Sequence, residues 1–145
     1  MSLSDWLDRG WLVKHRPDRR EVSELLGIAD RAIADAAVKG ISPDARLSIA
    51  HNAALQLAIA ALTATDYRAG HEVHHYRAIQ SLAFTIGAST DLVDQLDSFR
   101  KKRNISDYER AGAVSVHEAR EMLALAKSLR ETVTVWLKKN HPELV

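Results

Sequence analysis

The stretch from Ser42 to Thr65 reads SPDARLSIAHNAALQLAIAALTAT and predicts an alanine-rich helix. A serine followed by proline is typical of a helix start, because serine caps the first turn and the fixed φ of proline suits the first helical position. At about 100° per residue, one face collects Leu47, Ala50, His51, Ala54, Leu55, Ala58, Ala61 and Leu62. We therefore expect His51 to be a hydrogen-bonded core residue. Asn52 lies on the flank of this face, where it can reach a neighbouring helix.

Helical periodicity recurs on both sides of this stretch, and we find no strand pattern. Asp18 and Glu21 resemble a capping box at the start of one helix, and Ser115 and Glu118 resemble another. The predicted helices cover residues 19–39, 43–65, 71–86, 91–103 and 116–139. Gly87 marks either the end of the third range or a kink, after which 91–103 continues the same helix. Long helices joined by short connections predict an all-α fold, an antiparallel up-and-down bundle with four main helices.

Composition and charge limit the classes of function. A chain of 145 residues suits a single domain, here with a short Trp-containing segment at 1–16. The net charge of +1 excludes a strong global field, so any affinity for nucleic acid must come from local patches. The absence of cysteine excludes Cys-ligated zinc. The start of the chain lacks signal-peptide features, and Ala53–Ala64 is too short for a membrane span and carries Gln56. We expect a cytoplasmic protein that does not bind membranes.

The densest group of cations is RKKRNISDY, residues 100–108. It follows an apolar-periodic segment, so the four basic residues are predicted to lie in the last turn of a helix, where cations complement the helix dipole. A second interpretation is that Arg103 and Asn104 bind an anion, because a guanidinium is a planar group with several donors that suits phosphate. Tyr108 would then supply a phenol nearby.

Several motifs give the chain a resemblance to the HEPN superfamily. They are, in order, Ala50-His51-Asn52-Ala53-Ala54-Leu55, Gly70 with His74-His75-Tyr76, Arg100 to Asn104 with Tyr108, and Ser115 opening a last helix. Active members carry an arginine followed, after four to six residues, by histidine. Here Tyr108 stands at the histidine position, and no histidine occurs between it and His117.

The resemblance implies a helical bundle that often forms a homodimer, with the arginine motifs of two protomers lining one cleft. It places Arg103 and Tyr108 at the catalytic positions and Arg100, Arg103, Asn104, Asn52 and His74 at a site for RNA or a nucleotide. It also implies a nucleotidyltransferase partner in a toxin–antitoxin pair, and no cofactor. Tyrosine has a reference pKa near 10 and is a poor base at neutral pH, so we expect binding with weak or absent ribonuclease activity.

Two other classes of function compete with this one. His71-Glu72-Val73-His74-His75 matches the HExxH pattern of zinc hydrolases, in which His71 and His75 would be ligands and Glu72 the base. No third ligand is evident downstream, so we expect no bound metal, with His75 packed inward beside Ile79 and Leu82. The other class is a non-enzymatic helical interaction protein whose basic turn only caps a helix.

Overall fold

The computed structural model describes residues 1–70, 74–108 and 111–145, with the backbone alone at Tyr108. The protein is mostly helical and belongs to the all-α class, as the sequence predicted. Its elements are α1 (Leu3–Asp8), β1 (Leu12–Lys14), α2 (Arg19–Ala36), α3 (Pro43–Ala64), β2 (Tyr67–Ala69), α4 (His74–Ser81), α5 (Thr90–Tyr108), α6 (Val116–Asn140) and a 3-10 turn at Pro142–Leu144.

Helix α3 is the centre of the core. The Ser42 hydroxyl caps its first turn by accepting a hydrogen bond from the backbone N–H of Ala45. Thirteen of its 22 residues are buried, and it packs against α2, α4, α5 and α6. Small alanine side chains let these neighbours approach closely. The helix is long and apolar enough to cross a membrane by length and composition, but 72% of its most apolar stretch is buried inside the protein, as in a core helix.

The predicted caps form to different extents. At α6, the Ser115 hydroxyl accepts from the Glu118 backbone N–H, and the Glu118 carboxylate accepts from the Ser115 N–H, so this capping box is confirmed. At α2, Asp18 caps the Glu21 backbone N–H, but the Glu21 carboxylate contacts His15 Nε2 at 2.7 Å instead of returning to Asp18. The predicted box at α2 is therefore only half formed.

A two-stranded antiparallel sheet departs from the sequence prediction. Strand β1 pairs with β2 so that Leu12 lies opposite Ala69 and Lys14 opposite Tyr67. Strands of three residues are too short to show an alternating pattern, which explains why they were missed. The sheet joins the N-terminal segment to the connection after α3, and Trp6 is buried there against Leu62, Trp11 and Phe84. The two N-terminal tryptophans thus pack on the body of the protein.

The helix boundaries around the basic stretch also differ from the prediction. Helix α4 ends at Ser81 instead of Ile86, and α5 begins separately at Thr90 after Gly87, whose φ is +70°. At its other end α5 continues to Tyr108, so Arg100 to Arg103 lie more than a turn before the helix end. No basic residue occupies the last turn of α5 in the part of the chain that the structure describes. The prediction that these four cations cap the helix dipole is therefore wrong.

Candidate anion-binding site on helix α5

Two arginines of α5 line two separate cavities. Arg103 lines a cavity of about 440 Å³ with Asn52 and Ser48 of α3 and Arg31 and Asp35 of α2; we call it the Asn52 cleft. Arg100, one turn earlier on α5, lines a cavity of about 550 Å³ with residues 74–77 of α4, which we call the His74 cleft. The structure thus brings Arg103 together with Asn52, and Arg100 together with His74.

Arg103 is held by a carboxylate on its own helix. Its Nε donates to Asp107 Oδ2 at 3.3 Å, and the Ser48 hydroxyl donates to the same oxygen at 3.3 Å. Hydrogen bonds between ionised groups are usually 2.7–2.9 Å long, so this contact is a loose one. The Arg103 side chain is 24% exposed, which leaves its guanidinium open to the cleft. An incoming anion can therefore compete with Asp107 for Arg103.

The other three cations of the stretch are also paired. Arg100 Nε lies 2.7 Å from Asp97, Lys101 Nζ lies 3.6 Å from the same carboxylate, and Lys102 Nζ lies 3.5 Å from Glu118 of α6. Four cations therefore share three carboxylates with Arg103 included, and the local positive charge is smaller than the sequence suggested. Arg100 is the most firmly held of them, because its contact with the buried Asp97 is the shortest of the four.

His51 lies in the core beside these arginines, as predicted. It is 1% exposed, and its Nε2 lies 3.3 Å from the Leu96 carbonyl of α5. Since a carbonyl only accepts, Nε2 carries the proton, and Nδ1 has no hydrogen-bond partner among the described residues. Burial, assisted by the positive charges of Arg103 and Arg100, lowers the pKa of His51 to about 4. His51 is therefore neutral at pH 7 and cannot touch a ligand in either cleft.

His75 is exposed, and the prediction that it packs inward is wrong. The packed part of α4 begins only at Ala78 and Ile79, whereas His75 lies at the first turn of the described helix. Its ring contacts that of His74 at a centroid distance of 4.1 Å. Partial desolvation of the ring and the nearby charges of His74, Arg103 and Arg100 lower the pKa of His75. Both histidines line the His74 cleft together with Arg77 and Arg100.

Not every predicted site residue joins a cleft. Asn104 is exposed and is absent from the linings of both clefts, because it lies about 100° around α5 from Arg103. Tyr108 ends α5, and its side chain is outside the described part of the chain. His71 and Glu72 of the HExxH string are also outside the described residues. Within 1–70, 74–108 and 111–145, no group of three or more metal-ligating side chains is assembled.

Comparisons with family models, with curated proteins and with solved structures found no match to this chain.

Arg31, Ser48 and Arg77 line the clefts but were not predicted from the sequence as ligand contacts. Arg31 and Ser48 complete the Asn52 cleft, and Arg77 lies in the His74 cleft. Arg31 and Ser48 reach their cleft only through the packing of α2 and α5 on α3, which no local pattern reveals. A signal did exist for Arg77, which follows His74-His75-Tyr76 directly in the sequence.

Proposed function

We propose that the protein is a HEPN-like binding module for RNA or a nucleotide, and that it holds phosphate groups along α5. The observation that carries this proposal is the placement of Arg100 and Arg103 one turn apart, each in its own cleft. Planar guanidinium groups bind phosphate through two parallel hydrogen bonds. Arg103, whose contact with Asp107 is loose, is the group that an incoming phosphate can engage directly, whereas Arg100 keeps its ion pair with Asp97 and adds a second guanidinium one turn away.

The electrostatics of the surrounding residues support the same interpretation. Burial is the main cause of the lowered pKa of His51 and of His75, and the positive charges of Arg103 and Arg100 lower both further, so both histidines lie within reach of these two cations. Asn52 adds an amide beside Arg103 with both donor and acceptor atoms, the kind of group that binds base edges. In this proposal the guanidinium of Arg103 binds the phosphate and the amide of Asn52 binds the base.

The wider proposal includes an antiparallel up-and-down bundle, a cytoplasmic location, a homodimer and a nucleotidyltransferase partner. It rests on the motif resemblance and on the position of α3 among α2, α5 and α6. Ribonuclease activity is weak or absent in this proposal, because Tyr108 replaces the histidine of active HEPN proteins. Sedimentation at micromolar concentration distinguishes a dimer with a shared cleft from a monomer.

We expect Arg103→Ala to weaken the binding of a labelled single-stranded RNA oligonucleotide about tenfold, the loss typical of one charge-assisted hydrogen bond. Fluorescence anisotropy at low salt measures the change. Asp107→Asn should tighten binding, because it removes the carboxylate that competes for Arg103. Arg20→Ala is the matched control. Arg20 also pairs with an acid four residues further along its helix. It lies about 16 Å along α2 from Arg31 of the Asn52 cleft, so its loss should not affect that cleft. Equal affinities for wild type and Arg103→Ala would overturn the assignment of Arg103.

The zinc hydrolase is the alternative that HExxH favours, and elemental analysis of untagged protein tests it. We expect no stoichiometric zinc, because catalytic zinc sites usually have three protein ligands and His71 and His75 supply two. One zinc per chain that is lost in His75→Ala would reverse the order of the two functions. The third alternative, an interaction protein without a ligand, predicts no RNA binding at any salt concentration.

A further inference from the structure

Arg77 is an unusual cation in the His74 cleft. It is half-buried, its Nε has no hydrogen-bond partner, and it forms no ion pair with any carboxylate among the described residues. The other arginine of the cleft, Arg100, is neutralised by Asp97 at 2.7 Å. Burying a guanidinium without an anion is unfavourable, because water no longer solvates its charge fully. A bound anion would remove this penalty.

Aromatic rings fix the position of Arg77. Its guanidinium carbon lies 3.7 Å from the centroid of the Trp11 ring, and the rings of Trp6 and Tyr76 are 5.7 and 5.5 Å away. Cation–π contacts of this kind hold a guanidinium in place without neutralising its charge. The group is thus ordered before any ligand arrives, so little side-chain entropy is lost on binding.

A second guanidinium approaches the same aromatic group. Arg100 lies 5.5 Å from the centroid of Tyr76, so Arg77 and Arg100 are both next to one ring in one cleft. Arg9 is 5.1 Å from the Trp11 ring and adds a further positive charge near Arg77. Trp11 directly precedes β1, and Gly70 N–H donates to the Trp11 carbonyl at 3.0 Å. The pairing of the two strands therefore brings Trp11 against Arg77, which lines the cleft.

We infer that Arg77, held by Trp11, is the main phosphate-binding group of the His74 cleft, and that segment 1–16 is part of the site. This inference rests on the proposed function and deepens it. The ligand group is a phosphate or pyrophosphate of a nucleotide or RNA, bound by Arg77 with Arg100 beside it. The N-terminal segment then has a binding role in addition to its packing role.

The experiment titrates full-length protein with inorganic pyrophosphate by calorimetry and with a labelled RNA oligonucleotide by anisotropy. We expect Arg77→Gln to weaken both affinities at least tenfold, because it removes the positive charge and keeps a planar polar group. Arg77→Lys serves if glutamine disrupts the fold, and we expect at least a threefold loss because an ammonium cannot bind phosphate in a bidentate manner. Unchanged affinity in a folded Arg77→Gln or Arg77→Lys variant would overturn the inference.

Substitutions of Trp11 test its positioning role. Trp11→Leu should weaken pyrophosphate binding about threefold although Arg77 remains, and Trp11→Tyr should restore it because an aromatic face is kept. Equal loss in both Trp11 variants would overturn the role of the ring, since tyrosine preserves the contact.

The outcomes separate this inference from the proposed function. If Arg103→Ala weakens RNA binding and Arg77→Gln does not, the inference fails and the proposed function stands. If neither variant changes RNA binding, both fail.

Discussion

Lowering the pH from 7 to about 4 should reduce the free energy of unfolding by roughly 3 kcal/mol through His51 alone. Its pKa is 6.5 in the unfolded chain and about 4 in the native protein. Between these values the unfolded state binds a proton that the native state excludes. Acid therefore favours unfolding, and stability is lost progressively as the pH falls from about 6.5 to about 4.

Urea unfolding of wild type and His51→Gln at pH 7 and pH 4 measures this effect. Glutamine does not titrate, and its amide can still donate to the Leu96 carbonyl. His75 also has a lowered pKa and contributes in the same direction, but it is present in both proteins, so the difference between them isolates His51. The same loss of stability on acidification in both proteins would contradict the role assigned to His51.

Leu57→Ala should destabilise the protein by about 2–5 kcal/mol, the range for a buried leucine truncated in a well-packed core. Leu57 is fully buried in the middle of α3, the helix that packs against four others. Unfolding by urea at pH 7 measures the loss. Val135→Ala on α6 is the control, because Val135 is 66% exposed and its truncation should change stability by less than about 0.5 kcal/mol. A comparably small loss in Leu57→Ala would show that α3 is not the centre of the core.

The main helices could be predicted because their starts are encoded locally. Ser42 with Pro43, and Ser115 with Glu118, specify helix starts within four residues. The end of α5 was harder to predict. No helix-breaking residue marks it, since the next glycine is Gly112, and the prediction followed the run of charged residues instead. The pairing of β1 with β2 depends on residues more than 50 positions apart, which no local pattern contains.

The residues of the candidate site were predictable only where a local pattern or a motif placed them. The position of His51 followed from helical periodicity alone, and the link between Asn52 and Arg103 came from the motif resemblance. The ion pair of Lys102 with Glu118 needs α5 and α6 to pack together, and the contact of Arg77 with Trp11 needs the two strands to pair. Asn104 lies outside the Asn52 cleft because adjacent helical residues point in different directions.

The salt dependence of RNA affinity tests the phosphate-binding proposal most directly. Each phosphate neutralised on a single strand contributes about −0.7 to the slope of log affinity against log salt concentration. We predict a clearly negative slope for wild type, and a slope shallower by about 0.7 for Arg103→Ala, with Arg20→Ala unchanged. A wild-type affinity that does not vary with salt, or identical slopes for wild type and Arg103→Ala, would contradict phosphate binding at α5.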